Sequence, residues 1–448
     1  MYSNTPLYNR LVQHNRLDRS SFHTPGHKCA DFFPDDLLKL DYTELPDTDA
    51  LFEADGVILE TEKNLSALFG TKRSMISSGG CTLAIQSMLR LALPYGNKML
   101  FARNSHRSAV NTMALLGIDP VWLSPKSENG LFTGRITPAD VENALNADSS
   151  ISTCYITSPD YYGEISDIKA IAEICKKHKT ILLVDNAHGS HLAFMNENLH
   201  PIHLGADMSA CSMHKTLPVL TGGAVLNIGN SRFIDNAKDA MALFGSTSPS
   251  YPIMSSIDIC TDYMLNRGGI QAYRELEGRI AVIKQLAQQK GIIQPDGLCD
   301  PLRVCINTAS VGLVGEKQEK YFEENGIDCE FCDGENAVFI CTPFNSERDF
   351  VRLENAIKNM PVEKNISLVS DVSTLPKKAL SPREAIFSST ETVLLENSLG
   401  RIAADSACPC PPGIPVVMPG EIIDETVIQQ LKNYGFDKIK CGDILPHL

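Results

Sequence analysis

Lys215 stands in the run Ser212-Met213-His214-Lys215, with Thr216 and then Thr221-Gly222-Gly223 behind it. A lysine just past a short buried strand, with hydroxyl, imidazole and glycine neighbours, can reach into a cleft and form a Schiff base with an aldehyde cofactor. Alone it would be read as a solvated surface lysine, because most lysines are exposed. Asp185, in Asp185-Asn186-Ala187-His188-Gly189, changes that reading. A carboxylate at a strand end can face a bound ring, and one set against a pyridine nitrogen keeps that nitrogen protonated, as pyridoxal phosphate needs to act as an electron sink. The competing role for such an aspartate is to cap the following turn.

Two further stretches fall where a cofactor could be held. Ser77-Ser78-Gly79-Gly80-Cys81-Thr82 directly precedes a helix, where glycines let backbone amides approach a phosphate and the helix N-terminus adds partial positive charge. It has neither the lysine of a Walker loop nor the spacing of a dinucleotide fingerprint. Arg103-Asn104-Ser105-His106-Arg107-Ser108 follows a strand, which puts His106 at the same sheet edge, able to stack on a flat ring or to cap a helix.

The elements that must position these residues are legible in the apolar spacing. Thr153–Thr157 reads as a strand, Ile168, Ile171, Ala172 and Cys175 follow a helical i, i+3, i+4, i+7 pattern behind a candidate cap at Asp167, and Ile181–Asp185 reads as a second buried strand. With no room for a hairpin, this is a parallel crossover, and its carboxyl edge is where open parallel sheets bind ligands. A helix from Cys81 to about Leu93, a strand Lys98–Ala102, a helix through Ala109, Val110, Met113 and Leu116, and strands Met208–Ser212 and Gly223–Ile228 extend the same α/β grammar. A helix from about Gln271 to Gln289 leads out of it. Beyond Gly291, strands Leu302–Thr308 and Ala337–Cys341 and helices Glu316–Glu324 and Glu347–Lys358 suit a smaller α+β domain. The expected division is an N-terminal arm at 1–55, a large cofactor-binding domain at 56–290 and a small domain at 291–448.

The 448 residues are 43% hydrophobic and 21% charged, ample for a large core. Forty Lys+Arg against 54 Asp+Glu give a net charge of −14, the wrong sign for gripping nucleic acid or an anionic membrane. No run approaches the ~18 apolar residues of a spanning helix and the first residues are polar, so the expected location is cytoplasmic. The 14 cysteines show no regular framework and suit reduced thiols. Cys329-Glu-Phe-Cys332, Cys408-Pro-Cys410 and the pairs His188/His191 and His200/His203 lack the matched ligand sets of a metal site, so no metal is expected.

Taken together, the motifs resemble the pyridoxal-phosphate-dependent ornithine/lysine/arginine decarboxylases of fold type I, an aminotransferase-like architecture with a mostly parallel sheet, helices on both faces and a smaller C-terminal domain. The resemblance runs through Phe22-His-Thr-Pro-Gly-His27, Thr43-Glu-Leu-Pro46, Arg103–Ser108, Ser158-Pro-Asp-Tyr-Tyr-Gly163, Asp185–Gly189, Ser212–Lys215, Pro411-Pro-Gly-Ile-Pro415 and Pro419-Gly-Glu421. It implies that Lys215 holds the cofactor and Asp185 pairs with the ring nitrogen. By the same resemblance His106 stacks on the ring with Ala187 against the opposite face, and Gly80, Cys81, Thr82, Ser212 and His214 surround the phosphate. The chain departs from the family pattern at Cys81, where a Ser or Thr is usual, and at Asp160 and Met213, where Thr is common. Its Pro-Gly-His motif begins at Pro25, as in short forms without an amino-terminal regulatory domain.

The implied reaction is decarboxylation of a basic amino acid to agmatine, cadaverine or putrescine, arginine being favoured, with Lys215 or His214 returning a proton to Cα. His188 and Glu421 are the candidate substrate contacts, Glu421 for the distal cation. The expected assembly is a homodimer or larger with the site at the interface. The competing readings are transamination or aldol cleavage on the same lysine, with Arg383 or Arg401 holding a carboxylate, and a non-catalytic fold relative.

Overall fold

A computed structural model describes residues 16–17, 19–28, 30–34, 37–127, 130–362, 375–409 and 413–442. The first fifteen residues of the N-terminal arm, Cys410 and the Pro411-Pro412 pair of the closing motif lie outside the described residues.

A short strand β1 (Ser20–Phe22) precedes a seven-stranded sheet built from β2 (Arg73–Ser77), β3 (Lys98–Ala102), β4 (Asp119–Leu123), β5 (Thr153–Thr157), β6 (Ile181–Asp185), β7 (Met208–Cys211) and β8 (Ala224–Ile228). Their order is β2-β8-β7-β6-β5-β3-β4. Strands β4, β3, β5, β6 and β7 run parallel, and β8 alone is antiparallel to its neighbours β2 and β7. The register sets Asp185 opposite Thr157 on one side and Ala210 on the other, so three strands finish together.

Helices α1 (Val57–Phe69), α2 (Gly80–Ala92), α3 (Arg107–Leu116), α4 (Pro138–Ala147), α5 (Ile168–His178) and the single turn α6 (Met213–Thr216) connect these strands. Alternate strand residues point to opposite faces, and both faces are covered. Met99, Phe101, Tyr155 and Leu183 pack against α2 and α3 residues such as Leu83, Met88 and Met113. Leu100, Cys154, Ile156, Leu182 and Val184 pack against Val141 and Leu145 of α4 and Ile168, Ile171 and Cys175 of α5. The expected mostly parallel sheet with helices on both faces is present, and α5 starts behind Asp167, whose side chain accepts from the Ala170 amide.

After α7 (Ala237–Ala242), α8 (Tyr251–Asn266) and the long α9 (Gly269–Gln289), the described residues of the span expected as one small α+β domain carry two sheets of their own and one strand of a third. The first, β9 (Arg303–Asn307), β11 (Phe331–Cys332) and β12 (Asn336–Ile340), shares a core with α9, with α10 (Glu316–Glu324) and with α11 (Glu347–Asn359). Beside it β10 (Ile327–Cys329) pairs in parallel with β1, which stitches the N-terminal strand onto this unit. The second sheet, β13 (Thr390–Leu394) with β14 (Lys438–Gly442), flanked by α12 (Pro382–Phe387) and α13 (Glu425–Asn433), has its own core around Leu395, Val417, Val427 and Leu431. Among the described residues no helix is long and apolar enough to cross a membrane.

Candidate active site

The carboxyl ends of β3, β5, β6 and β7 open on a cavity of about 560 Å³. Gly80, Cys81 and Thr82 line it from the start of α2, and His106 from the turn after β3. Asp185, Ala187 and His188 line it from the turn after β6, and Ser212, His214 and Lys215 from α6. Asp405, Ser406 and Pro415 of the last unit form a further wall.

Lys215 sits on a helix of one turn, and its position depends on what grips that turn. The Gly26 amide donates to the His214 carbonyl at 2.7 Å, the Tyr273 hydroxyl donates to the Thr216 carbonyl at 2.6 Å, and the His214 amide donates to the Gly223 carbonyl at 3.2 Å. Its Nζ lies 3.0 Å from His188 Nε2. Burial pulls the Lys215 ammonium below the ordinary lysine value, against the opposing influence of Cys81 and Asp185.

Asp185 is 1% exposed. Its Oδ2 accepts from the Tyr155 hydroxyl at 3.0 Å and its Oδ1 from the Ala187 amide at 3.1 Å. Burial and the Asp185 charge push the Tyr155 phenol up, so it stays a donor. Two neutral donors orient this carboxylate, which is both a turn cap and a free charge facing the cavity.

Helix α2 begins without a side-chain cap: its N-cap is Gly79, and Gly80 has φ +70°, a left-handed conformation that favours glycine. The Gly80 amide donates to the Gly222 carbonyl at 2.9 Å. The amides of the next residues are thus left to an outside partner at the positive end of a 13-residue helix. His106 combines both roles open to it from the sequence. It is the N-cap of α3, its Nδ1 accepting from the Ser108 amide at 3.2 Å, and its ring lines the cavity. Burial lowers its pKa and that of His214, whose Nδ1 lies 3.1 Å from the Gly223 carbonyl. A carbonyl only accepts, so that nitrogen carries the hydrogen.

The donor set fits pyridoxal phosphate: an amine for the aldehyde, a buried carboxylate for the ring nitrogen, and an uncapped helix N-terminus for the phosphate. Buried polar atoms without a hydrogen-bond partner among the described residues, Thr157 Oγ1, Asn104 Oδ1 and Asp160 Oδ2, belong to residues that line the same cavity.

Glu421 corrects the expected substrate contact. It is buried, and its two oxygens accept from Arg103 Nη1 and Nη2, each at 2.7 Å, while Oε2 also accepts from the Met418 amide at 2.8 Å. With both oxygens committed and no place on the cavity wall, it ties the last unit to the end of β3 instead. Arg383 donates to the Ala114 and Leu115 carbonyls and Arg401 pairs with Glu391 at 2.6 Å, so neither holds a carboxylate at this cavity. His200 is a buried core residue against Cys211 and Asn227, and His191 pairs with Asp300 at 2.8 Å.

Three residues have a part in the site that the sequence reading did not give them, although Asp160 and Tyr161 lie inside the Ser158–Gly163 motif. Asp160 is buried on the cavity wall, and burial together with Glu164 pushes its carboxyl up to about 7. Tyr161 packs edge-on against His188 with ring centroids 5.1 Å apart. Arg303, from β9, lies 3.1 Å from His188 Nδ1.

The model of the Orn/Lys/Arg decarboxylase major domain matches residues 5–296, and that of the family's C-terminal domain matches residues 366–435. Uncharacterized protein YaaO of Bacillus subtilis is 32% identical over 96% of this chain and 94% of its own length. The arginine decarboxylase of Bacillus subtilis is 29% identical over 98% of this chain and 94% of its own length. Among solved structures, lysine decarboxylase A from Pseudomonas aeruginosa superposes with a TM-score of 0.78 at 17% identity, covering 98% of this chain and 80% of that one. The chain is a decarboxylase of the Orn/Lys/Arg decarboxylase family, built on the fold type I architecture.

Proposed function

We propose that the protein uses pyridoxal phosphate to decarboxylate a basic L-amino acid, arginine ahead of lysine and ornithine. The observation that carries this reading is the convergence of Lys215 Nζ, the Asp185 carboxylate and the uncapped start of α2 on one cavity in a chain of this family. Arginine is favoured because the arginine decarboxylase of Bacillus subtilis matches over 94% of its length, whereas the lysine decarboxylase structure is covered over 80%.

When bound, the cofactor supplies an electron sink for the pair left behind as carbon dioxide departs from Cα. The chain's own residues do the rest. Lys215 anchors the cofactor and Asp185 keeps the ring nitrogen protonated. The α2 amides with Ser212 and His214 hold the phosphate, and His106 and Ala187 bound the two ring faces. Lys215 or His214 returns the proton to Cα. In place of Glu421, Asp160 is the candidate for the substrate's distal cation, because its Oδ2 is buried and unpartnered among the described residues. The enzyme works as a homodimer in the cytoplasm in this reading.

The test is carbon dioxide release from arginine, lysine and ornithine supplied separately, with the amine identified by mass. The expected result is agmatine from arginine at the highest kcat/KM. No release from any of the three, with the cofactor's absorption band present, would overturn decarboxylation of a basic amino acid.

A further inference from the structure

Lys215 Nζ, His188 and Arg303 form a chain of hydrogen bonds whose directions can be worked out from one end. Arg303 Nη1 lies 3.1 Å from His188 Nδ1, and His188 Nε2 lies 3.0 Å from Lys215 Nζ. A guanidinium carries only donors and keeps its charge in proteins. Arg303 therefore donates to Nδ1. A neutral imidazole that accepts at Nδ1 has its hydrogen on Nε2. That hydrogen points at Nζ, which must accept it, and an ammonium has no lone pair to offer.

We propose that Arg303 is a positioning residue which, by fixing the tautomer of His188, holds Lys215 as the neutral amine that attacks an aldehyde cofactor. This rests on the cofactor reading given above. A doubly protonated His188 would turn an N–H toward the Arg303 N–H groups and bury an imidazolium beside a guanidinium. Burial, with the Arg303 charge beside it, holds the His188 pKa well down, in agreement with the geometry. The groups facing Lys215 are Asp185, Cys81 and Glu330, which favour its charge, and Arg303, which opposes it, with His106, His188 and His214 also near.

Arg303 is itself held in place. Its Nη1 also donates to the Tyr161 carbonyl at 2.9 Å, and its Nε lies 3.8 Å from Asp300 Oδ2. Gly163, at φ +94°, leaves so little room that a Cβ there would come within 3.1 Å of the Arg303 side chain. The step it prepares balances simply. The Nζ lone pair adds to the aldehyde carbon, and the aldehyde oxygen leaves as water with both amine hydrogens, giving a C=N bond. From an ammonium the same step would first need a proton acceptor, and Nε2–H is not one.

The experiment is competitive acetylation of Lys215 in the full-length protein stripped of cofactor, pulsed with acetic anhydride from pH 6 to 11 and read by peptide mass. The wild-type midpoint is expected below the ~10.4 of an ordinary lysine. In Arg303→Met it should rise by about one unit or more, with an approximately tenfold slower uptake of pyridoxal phosphate at pH 7. Arg303→Lys, which keeps a donor, should recover part of the shift. An unchanged midpoint in a natively melting Arg303→Met variant would overturn the proposal. Should that variant not fold, nitrogen-15 spectra of histidine-labelled wild type decide. Hydrogen on His188 Nε2 supports the proposal and hydrogen on Nδ1 overturns it. Acetylation needs no cofactor, so a wild type that shows the low midpoint but takes up no pyridoxal phosphate would sink the cofactor reading and leave the Arg303–His188–Lys215 chain standing.

Discussion

A carboxyl group with one oxygen tied to a turn and the other buried on a cavity wall can take a further partner there, and Asp160 is so placed: Oδ1 accepts from the Glu164 amide at 2.7 Å, the Thr133 side chain also bonds the carboxyl, and Oδ2 is unpartnered among the described residues. Its carboxyl, raised to about 7 from an ordinary 3.8, keeps its proton in the folded state where the unfolded chain has lost it. Its contribution to stability therefore falls as pH rises from about 4 to 7. Asp160→Asn should melt higher than wild type at pH 8 and alike near pH 4, by calorimetry, while KM for arginine rises roughly tenfold or more. An unchanged KM would remove Asp160 from cation binding. Lys215→Ala should cut carbon dioxide release by between about a hundred- and ten-thousandfold with the near-UV spectrum intact, and a near-normal rate would remove Lys215 from the chemistry. At this scale the residues legible in the sequence were those next to strand ends, because a strand and the turn after it are local. Glu421 was misread because its partner, Arg103, lies 318 residues away, and no local pattern announces a pairing at that distance.

The elements read most securely were the ones whose apolar period is unbroken. Strands β3, β5 and β6 and the cap of α5 fall where the spacing put them. Strand β4 went unread because Pro120 interrupts it, a residue tolerated there since β4 is the edge of the sheet. Helix α4 was also missed, although Thr137 and Asp140 cap each other reciprocally across its first turn and the threonine-proline start was a usable signal. The element that matters most for the site is α6, too short for any periodicity. Its support by the N-terminal loop makes a sharp prediction. A Cβ at Gly26 would lie 2.7 Å from the Leu217 carbonyl oxygen and 2.9 Å from the Thr216 carbonyl carbon, both backbone. Gly26→Ala should cost about 1–3 kcal/mol in urea unfolding and lower kcat, because the turn bearing Lys215 must move. A variant matching wild type in both would show that the loop does not set the position of α6.

Across the whole molecule, buried histidines tie stability to pH on the acid side. Burial lowers His200 to about 3, so the folded protein keeps it neutral while the unfolded chain takes up a proton below about 6.5. Stability should fall as pH drops from 6.5, by up to about 1.4 kcal/mol per unit for this one group. His200→Asn should flatten that slope in urea titrations at successive pH values, and an unaltered slope would assign acid sensitivity elsewhere. The same global view gives the Arg103–Glu421 pair its energetic weight. Glu421→Gln leaves a buried guanidinium without its charge partner and should cost about 3–5 kcal/mol by calorimetry. A loss under about 1 kcal/mol would mean the Pro415 and Val416 carbonyls suffice. That pair also orders events in time. On a ribosome adding about 5–20 residues per second, Arg103 leaves the exit tunnel some tens of seconds before its carboxylate is made. Until then the sheet edge beside His106 stays wet, so the seven-stranded sheet of the nascent chain can form while its reaction chamber waits, unroofed, for the segment around Glu421 to be translated.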